Sequence, residues 1–296
     1  MTWIWAILIL MAIILLFDIW IKKVYSYPKR QHRTTPEEFG IPFEEVRFPT
    51  EKQLDLYGWW IPASEGLADT APVIILAHGW GRNVEDLLPY IQKLHPMGYY
   101  LLAIDLRNHG SSDPDKYPNM LKFSEDIRAA VDFVHKKQAT ATPGIGVFGI
   151  SAGGAAAIHA ASFDKRIQSV VTVGAFAHPI DIMKMEFRKR HIPYFPVVWL
   201  MFKYLELRIG LNFNRIAPVN NIGRVGASIF LIHGSRDEVV PPQQAHLLMK
   251  AANKDRATLW LVPDTGHSNC NTHPEFWEKV ESFLNKTLAQ GVAIAK

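Results

Sequence analysis

Cysteine is almost absent from this chain: Cys270 is the only one among 296 residues. That excludes an intrachain disulfide, and it excludes zinc sites built from paired thiolates. The 12 histidines are scattered, with no H-E-x-x-H run, so no metal is expected. Charged residues make up 20%, and the formal net charge is only +4. The excess is local, in Lys22, Lys23, Lys29, Arg30 and Arg33 and again in Arg188, Lys189 and Arg190. A nucleic-acid surface needs a broader basic face with interleaved aromatics, so no nucleic-acid partner is expected. The glycine-rich stretch 144–154 lacks the lysine of a phosphate loop and the spacing of a dinucleotide fingerprint. No cofactor is expected. The sequence also has no internal repeat and no low-complexity tract.

What the chain does have is apolar mass, 48% of its residues, enough for one large core. Residues 3–21 are apolar apart from Asp18. As a helix they span roughly 30 Å, the thickness of a bilayer's hydrocarbon core. Trp3, Trp5 and Trp20 lie near the two ends, where amphipathic rings favour the headgroup level. A cleaved signal peptide would start with basic residues and end on a small-x-small site; here Lys22 and Lys23 follow the apolar run instead. A buried first helix, apolar all round, would need a very large partner surface. The expected organisation is a transmembrane anchor over 1–22, a linker over 23–42, and a catalytic domain over 43–296. Positive charge lies on the C-terminal side of the anchor, which places the domain in the cytoplasm by the positive-inside rule.

Residues 43–49 and 54–62 read as strands around a turn at 50–52, and 64–72 as a small polar loop. Strand and helix patterns then alternate. Strands are expected at 73–77, 99–104, 145–150, 168–174, 228–233 and 259–262. Helices are expected at 84–96, 121–137, from 152, at 242–253 and at 274–289. Short apolar strands alternating with amphipathic helices imply a mostly parallel sheet with helices on both faces. Residues 176–224 break the pattern. They hold no clean strand and many aromatics, Phe187, Tyr194, Phe195, Trp199 and Phe202 among them. A stretch this long between two core strands is expected to be an inserted helical cap, with Pro196 opening a helix that runs to 211. Its apolar load fits a pocket roof, a membrane-facing surface or extra core.

Gly149-Ile150-Ser151-Ala152-Gly153 is a G-x-S-x-G pentapeptide placed where a strand meets an alanine-rich helix. A serine hydroxyl is a poor nucleophile until an imidazole takes its proton, and the imidazole needs a carboxylate to orient it. Candidates stand at strand ends, where such groups gather in open parallel sheets. Asp237 follows one strand in HGSRDEVVP, and His267 follows another in DTGHS. The order Ser, Asp, His suits a G-x-S-x-G elbow. Asp237 also suits the cap of the next helix, and His267 an ordinary loop; Glu238 and Asp181 are alternative acids. An oxyanion needs N–H donors, which Ala152 at a helix N-terminus and Trp80 in His78-Gly79-Trp80-Gly81 can supply.

The segments ILAHGWGRN, LLAIDLRNHGSSD, VFGISAGG, IFLIHGSRDEVVP and LVPDTGHSN resemble the α/β-hydrolase superfamily, in its esterase, lipase and S33/S9-like serine hydrolase branch. They extend from residue 73 towards the C-terminus, leaving out anchor, linker and cap. The resemblance implies an α/β-hydrolase fold, with Ser151 as nucleophile, His267 as base, Asp237 as orienting acid and Trp80 and Ala152 as oxyanion donors. Asp105 and His109 read as loop-structuring. The expected activity is hydrolysis of carboxylic esters through an acyl-enzyme, with a small-molecule or lipid ester as substrate. A peptidase or an acyltransferase on the same triad is the alternative, and a non-catalytic scaffold a remote one.

Overall fold

The structure, a computed structural model, describes residues 2–25, 29–63, 71–138 and 144–288. The chain opens with helix α1 (Thr2–Tyr25) and reaches the sheet through a 3-10 turn at Pro36–Phe39. Strands β1 (Glu44–Pro49) and β2 (Asp55–Ile61) form a hairpin, followed by β3 (Val73–Ala77), α2 (Leu88–Leu94), β4 (Tyr100–Asp105) and α3 (Met120–Lys137). Next come β5 (Ile145–Ile150), α4 (Ala152–Phe163) and β6 (Ile167–Val173). Four α-helices intervene, α5 (Pro179–Lys189), α6 (Trp199–Ile209), α7 (Phe213–Ile216) and α8 (Pro218–Asn221), with a π-helical turn at Tyr194–Val198 and a 3-10 turn at Ile222–Arg224. The chain ends with β7 (Ser228–Gly234), α9 (Gln243–Ala251), β8 (Ala257–Val262) and α10 (Phe276–Leu288).

The eight strands make one sheet in the order β1-β2-β4-β3-β5-β6-β7-β8. β1, β2 and β4 pair antiparallel, and the remaining neighbours pair parallel. The central strands are apolar on both sides because both sides are covered. Along β3, Val73, Ile75 and Ala77 enter one core, while Ile74 and Leu76 enter the other. Phe123, Ile127 and Val131 of α3 cover the first face, at the four-residue spacing of a helical stripe. Ile91 of α2 and Phe276 and Leu284 of α10 cover the second. Each such side chain, fully buried, contributes about 1.5–3 kcal/mol. This is an α/β-hydrolase fold, and it sets the carboxyl ends of β3, β5, β6, β7 and β8 side by side.

Most expected elements are present within a residue or two. The helix expected over 84–96 is instead a 3-10 turn (Val84–Leu87), then α2, then a second 3-10 turn (His95–Met97), because Pro89 and Pro96 interrupt it. The helix expected to open at Pro196 enters through a π-helical turn (Tyr194–Val198) that runs into α6, and it stops at Ile209, where Gly210 adopts a left-handed conformation with φ 68°. The loop expected over 64–72 lies outside the described residues for 64–70, as does the last residue of the helix expected over 274–289. Read as a linker, residues 29–42 in fact lie along the domain. Arg30 O accepts from Asn83 Nδ2 at 2.9 Å, Arg33 N–H donates to Glu85 at 3.2 Å, and His32 stacks on Tyr57 with ring centres 5.4 Å apart.

The N-terminal anchor stands differently. Among the described residues no helix is long and apolar enough to cross a membrane. Side chains at 2, 6, 10 and 20–25 of α1 lie outside the described set. Elsewhere along α1 the apolar side chains of Trp3, Ile9, Leu15 and Ile19 are exposed. Asp18 is buried, accepting from Tyr117 Oη at 2.7 Å, Tyr204 Oη at 3.2 Å and Arg208 Nε at 3.3 Å. The C-terminal end of α1 is thereby fastened to α6.

Candidate active site

The strand-to-helix turn forces its middle residue into an unusual conformation. Ser151 has φ 52° and ψ −116°, a backbone geometry that L-residues rarely hold. Two bonds fix it: Ser151 N–H donates to Val173 O at 2.8 Å, and Ser151 O accepts from Ala155 N–H at 3.0 Å. Space explains the small flanking residues. A Cβ on Gly153 would sit 2.4 Å from Ala77 O and 2.5 Å from His78 O, so any side chain there would push α4 off β3.

The loop after β3 lies against the serine: a Cβ on Gly79 would approach Ser151 Cβ to 3.3 Å and Oγ to 3.9 Å. Trp80 is next in the chain, and Ala152 opens α4, where the first N–H groups of a helix have no intrahelical acceptor. Two histidines hold this loop. Leu106 N–H donates to His78 Nε2 at 3.1 Å, so the ring proton sits on Nδ1 and donates to Gly79 O at 2.7 Å. Gly81 N–H likewise donates to His109 Nε2 at 2.9 Å, leaving Nδ1–H for Arg107 O at 3.1 Å. Both rings are neutral in this arrangement. Burial, with His109 close by, lowers the His78 pKa to about 3, and burial also lowers that of His109. Asp105 accepts from Val84 N–H at 2.8 Å and Ser111 N–H at 2.7 Å, and so braces the neighbouring loops. Arg107, fully buried, grips Asp126 of α3 through Nε at 2.7 Å.

Asp237 and His267 come from different loops that the backbone ties together. Ser235 N–H donates to Val262 O at 3.0 Å and Arg236 N–H to Thr265 O at 2.8 Å. His267 Nδ1 then meets Asp237 Oδ2 at 2.7 Å. Asp237 Oδ1 accepts from Val239 and Val240 N–H at 2.9 and 2.8 Å, and His233 Nε2 stands 3.4 Å from Oδ2. Burial disfavours the charge on Asp237. The hydrogen bonds from His233, His267 and Val240 outweigh burial and hold its carboxyl well below the usual carboxylate range. Of the alternative acids, Glu238 is exposed, and Asp181 lies in the first turn of α5. Among the described residues neither bonds to His267.

Gly174 joins the serine side to the acid–base side. It follows Val173, the acceptor of Ser151 N–H, and a Cβ on it would lie 3.0 Å from His267 Cε1 and Nδ1. Its φ of 67° is left-handed. Gly174→Ala is therefore expected to cost roughly 1–3 kcal/mol of stability and, by displacing the His267 ring, roughly 10²-fold in kcat. Urea unfolding and steady-state kinetics on the same preparation check both. Among the described residues Ser151 Oγ makes no hydrogen bond, to His267 included; such contacts often tighten only when substrate binds.

Sequence reasoning missed two contacts. His233 touches the acid, for which its i, i+4 spacing to Asp237 was the available signal. Gln244 Oε1 accepts from the N–H groups of Ala177 and His178 at 2.9 and 3.3 Å, pinning the start of the inserted helices, and no local pattern marks it. A fourth buried histidine, His159 of α4, bonds Ser124 Oγ at 2.8 Å, and burial lowers its pKa to about 4. An unfolded histidine takes its proton near pH 6.5, so this group's stabilisation is complete above that pH and is lost as pH falls towards 4. His159→Gln is expected to flatten the stability–pH slope between pH 6 and 5 by close to one proton, ~1.4 kcal/mol per pH unit. Urea titrations at the two pH values measure it.

With the elbow, the loop beside it and the acid–base pair placed, the relatives of the chain can be compared with it. The model of the prolyl oligopeptidase family matches residues 116–291, which include Ser151, Asp237 and His267. The chain belongs to that family. Its prolyl oligopeptidase-family domain is similar to the protein YfhR of Escherichia coli K12, 29% identical over 76% of this chain and 73% of that one. It is also similar to an uncharacterised membrane protein of Saccharomyces cerevisiae, 23% identical over 86% and 84%. Among solved structures, an esterase of Pyrococcus furiosus superposes with a TM-score of 0.69 at 25% identity, over 88% of this chain and 99% of that one. The family and these neighbours make the chain an α/β hydrolase.

Proposed function

We propose that this hydrolase is a membrane-anchored serine enzyme that cleaves carboxylic esters through an acyl-enzyme. The observation that carries the reading is the 2.7 Å contact of His267 Nδ1 with Asp237 beside an elbow serine at φ 52°. Because Asp237 accepts the Nδ1 proton, Nε2 is the ring atom open to act as base. Ser151 Oγ attacks the ester carbonyl while its proton passes to His267 Nε2. Trp80 and Ala152 N–H groups stabilise the oxyanion. His267 then protonates the leaving alcohol, the C–O bond breaks, and the acyl group stays on Ser151. Water, deprotonated by the same Nε2, attacks the acyl carbonyl and releases the acid and free serine.

Supporting the ester reading is the similarity to a protein described as an esterase, and supporting acyl chemistry more broadly is one to a thiohydrolase of Aspergillus aculeatus, 30% identical over 51% of this chain. The family's name favours a second reading, a peptidase on the same residues. Supporting the anchor are the apolar run 3–21 and the yeast relative described as a membrane protein, and the basic residues after the run favour a cytoplasmic catalytic domain. The test is turnover of esters of graded chain length, with matched thioesters and amides alongside. Ester turnover well above amide turnover is expected; preferential amide turnover would favour the peptidase.

A further inference from the structure

The helices between β6 and β7 keep large apolar side chains in water. Phe195 is 71% exposed and Leu207 84%, and Tyr194, Val197, Trp199 and Leu200 are exposed beside them in sequence. These are not surplus core, because Val198, Met201, Phe202 and Leu205 of the same segment are buried beneath. The result is a helical layer with one apolar face packed inward and a second, aromatic-rich face outward. Ordinary soluble surfaces scatter such residues singly; a cluster marks an interaction site.

Two further observations say what covers it. First, the outward face is continuous with α1. Phe17 meets Tyr204 edge-on with ring centres 5.1 Å apart, and Asp18 is bound by Tyr117, Tyr204 and Arg208. Tyr204 and Arg208 belong to α6, the helix that carries Trp199, Leu200 and Leu207. Asp18 is the one charged residue in the apolar run 3–21, and α6 together with Tyr117 supplies its donors, so α1 and α6 are held together at that point. Second, the edge of the patch is basic. Lys184, Arg188 and Arg190 lie on or just after α5, Lys189 is paired with Glu186 at 3.0 Å, and Lys184 Nζ sits 4.5 Å above the Tyr194 ring. Aromatic rings, exposed aliphatics and a basic border match the chemistry of an anionic bilayer surface, which attracts nearby cations.

The geometry points to the exposed aromatic edge of 194–200, with Leu207 and the basic side chains of α5, as a face that docks on an anionic lipid bilayer. Asp18 holds that face in register with α1. This inference rests on the membrane-anchored reading above. It also narrows the substrate. With the enzyme held at the bilayer, esters resident in it would be the substrates favoured.

The test uses the full chain with Phe195→Cys carrying an environment-sensitive fluorophore, Cys270 being buried. The same label at Lys254, exposed and in the loop between α9 and β8, serves as reference. Both proteins are reconstituted into phosphatidylcholine vesicles with and without phosphatidylglycerol, floated, and assayed on a water-soluble ester. The inference expects a blue-shifted emission at 195 in vesicles containing phosphatidylglycerol, and none at 254. Flotation with unchanged ester turnover but no shift at 195 would overturn docking while leaving the anchored hydrolase standing. Failure to float would overturn the anchor and docking together. A shift already present in lipid-free detergent and growing with protein concentration would assign the face to a second copy of the chain and overturn the bilayer. Trp199→Asp adds a second check: turnover of a vesicle-borne ester should fall while turnover of the soluble ester holds.

Discussion

Asp237→Asn should lower kcat on a soluble ester by roughly 10⁴-fold with KM little changed. An amide in place of the carboxylate can keep one acceptor oxygen on the Val239 and Val240 N–H groups, so the turn should survive. The other arm becomes an NH₂ facing His267 Nδ1, now 2.7 Å from a carboxylate oxygen. Two donors cannot face each other, so the imidazole moves its proton to Nε2. It then offers Ser151 a proton instead of accepting one. Because Asp237 is held ionised far below its ordinary range, the wild-type loss of activity on acidification should not come from this group. A pH profile of kcat/KM measures that. Unfolding by urea should shift little, which separates loss of the base from loss of the fold.

Ser151→Ala should cost more, roughly 10⁶-fold in kcat. The change removes one oxygen, and Ala must hold the same backbone at φ 52°, so part of the structural strain remains. What survives is binding and the N–H groups at Trp80 and Ala152. Acting without a nucleophile, they should leave a residual of about 10³–10⁴ over water. Combining Ser151→Ala with Asp237→Asn should lose no more than Ser151→Ala alone, because residues that act as one unit are not additive. An additive double loss would mean that the two do not act on one step.

How much of this was legible in the sequence follows from how local each cause is. The strands were legible because both faces of the sheet are covered, which leaves continuous apolar runs such as Val73–Ala77. The elbow was legible because Gly153 meets the backbone of Ala77 and His78, a demand that sequence can meet only with glycine. The order Ser, Asp, His was legible as well, and the loops carrying Asp237 and His267 are adjacent in the fold. The reason they meet was not. It lies in two bonds between main-chain atoms, Ser235 to Val262 and Arg236 to Thr265, and any residues could make them. Gln244 was hidden for the same reason, since its partners are the amides of Ala177 and His178 across 66 and 67 positions. The partners of Asp18 were hidden as well. Composition showed it only as a lone charge in an apolar run, and only the folded chain shows Tyr117, Tyr204 and Arg208 around it. Residues 29–42 looked like a linker because they are polar and proline-bearing; their bonds run to Asn83, Glu85 and Tyr57, far along the chain.

The central claim is that Ser151 is a nucleophile activated by His267 and Asp237. The most direct measurement is to treat the purified full-length chain with a fluorophosphonate, digest it and locate the adduct by mass spectrometry. The account predicts a single phosphonylated peptide with the group on Ser151, formed quickly in the wild type and severely slowed in His267→Ala. No adduct, or an adduct on another residue with Ser151 unmodified, would contradict it.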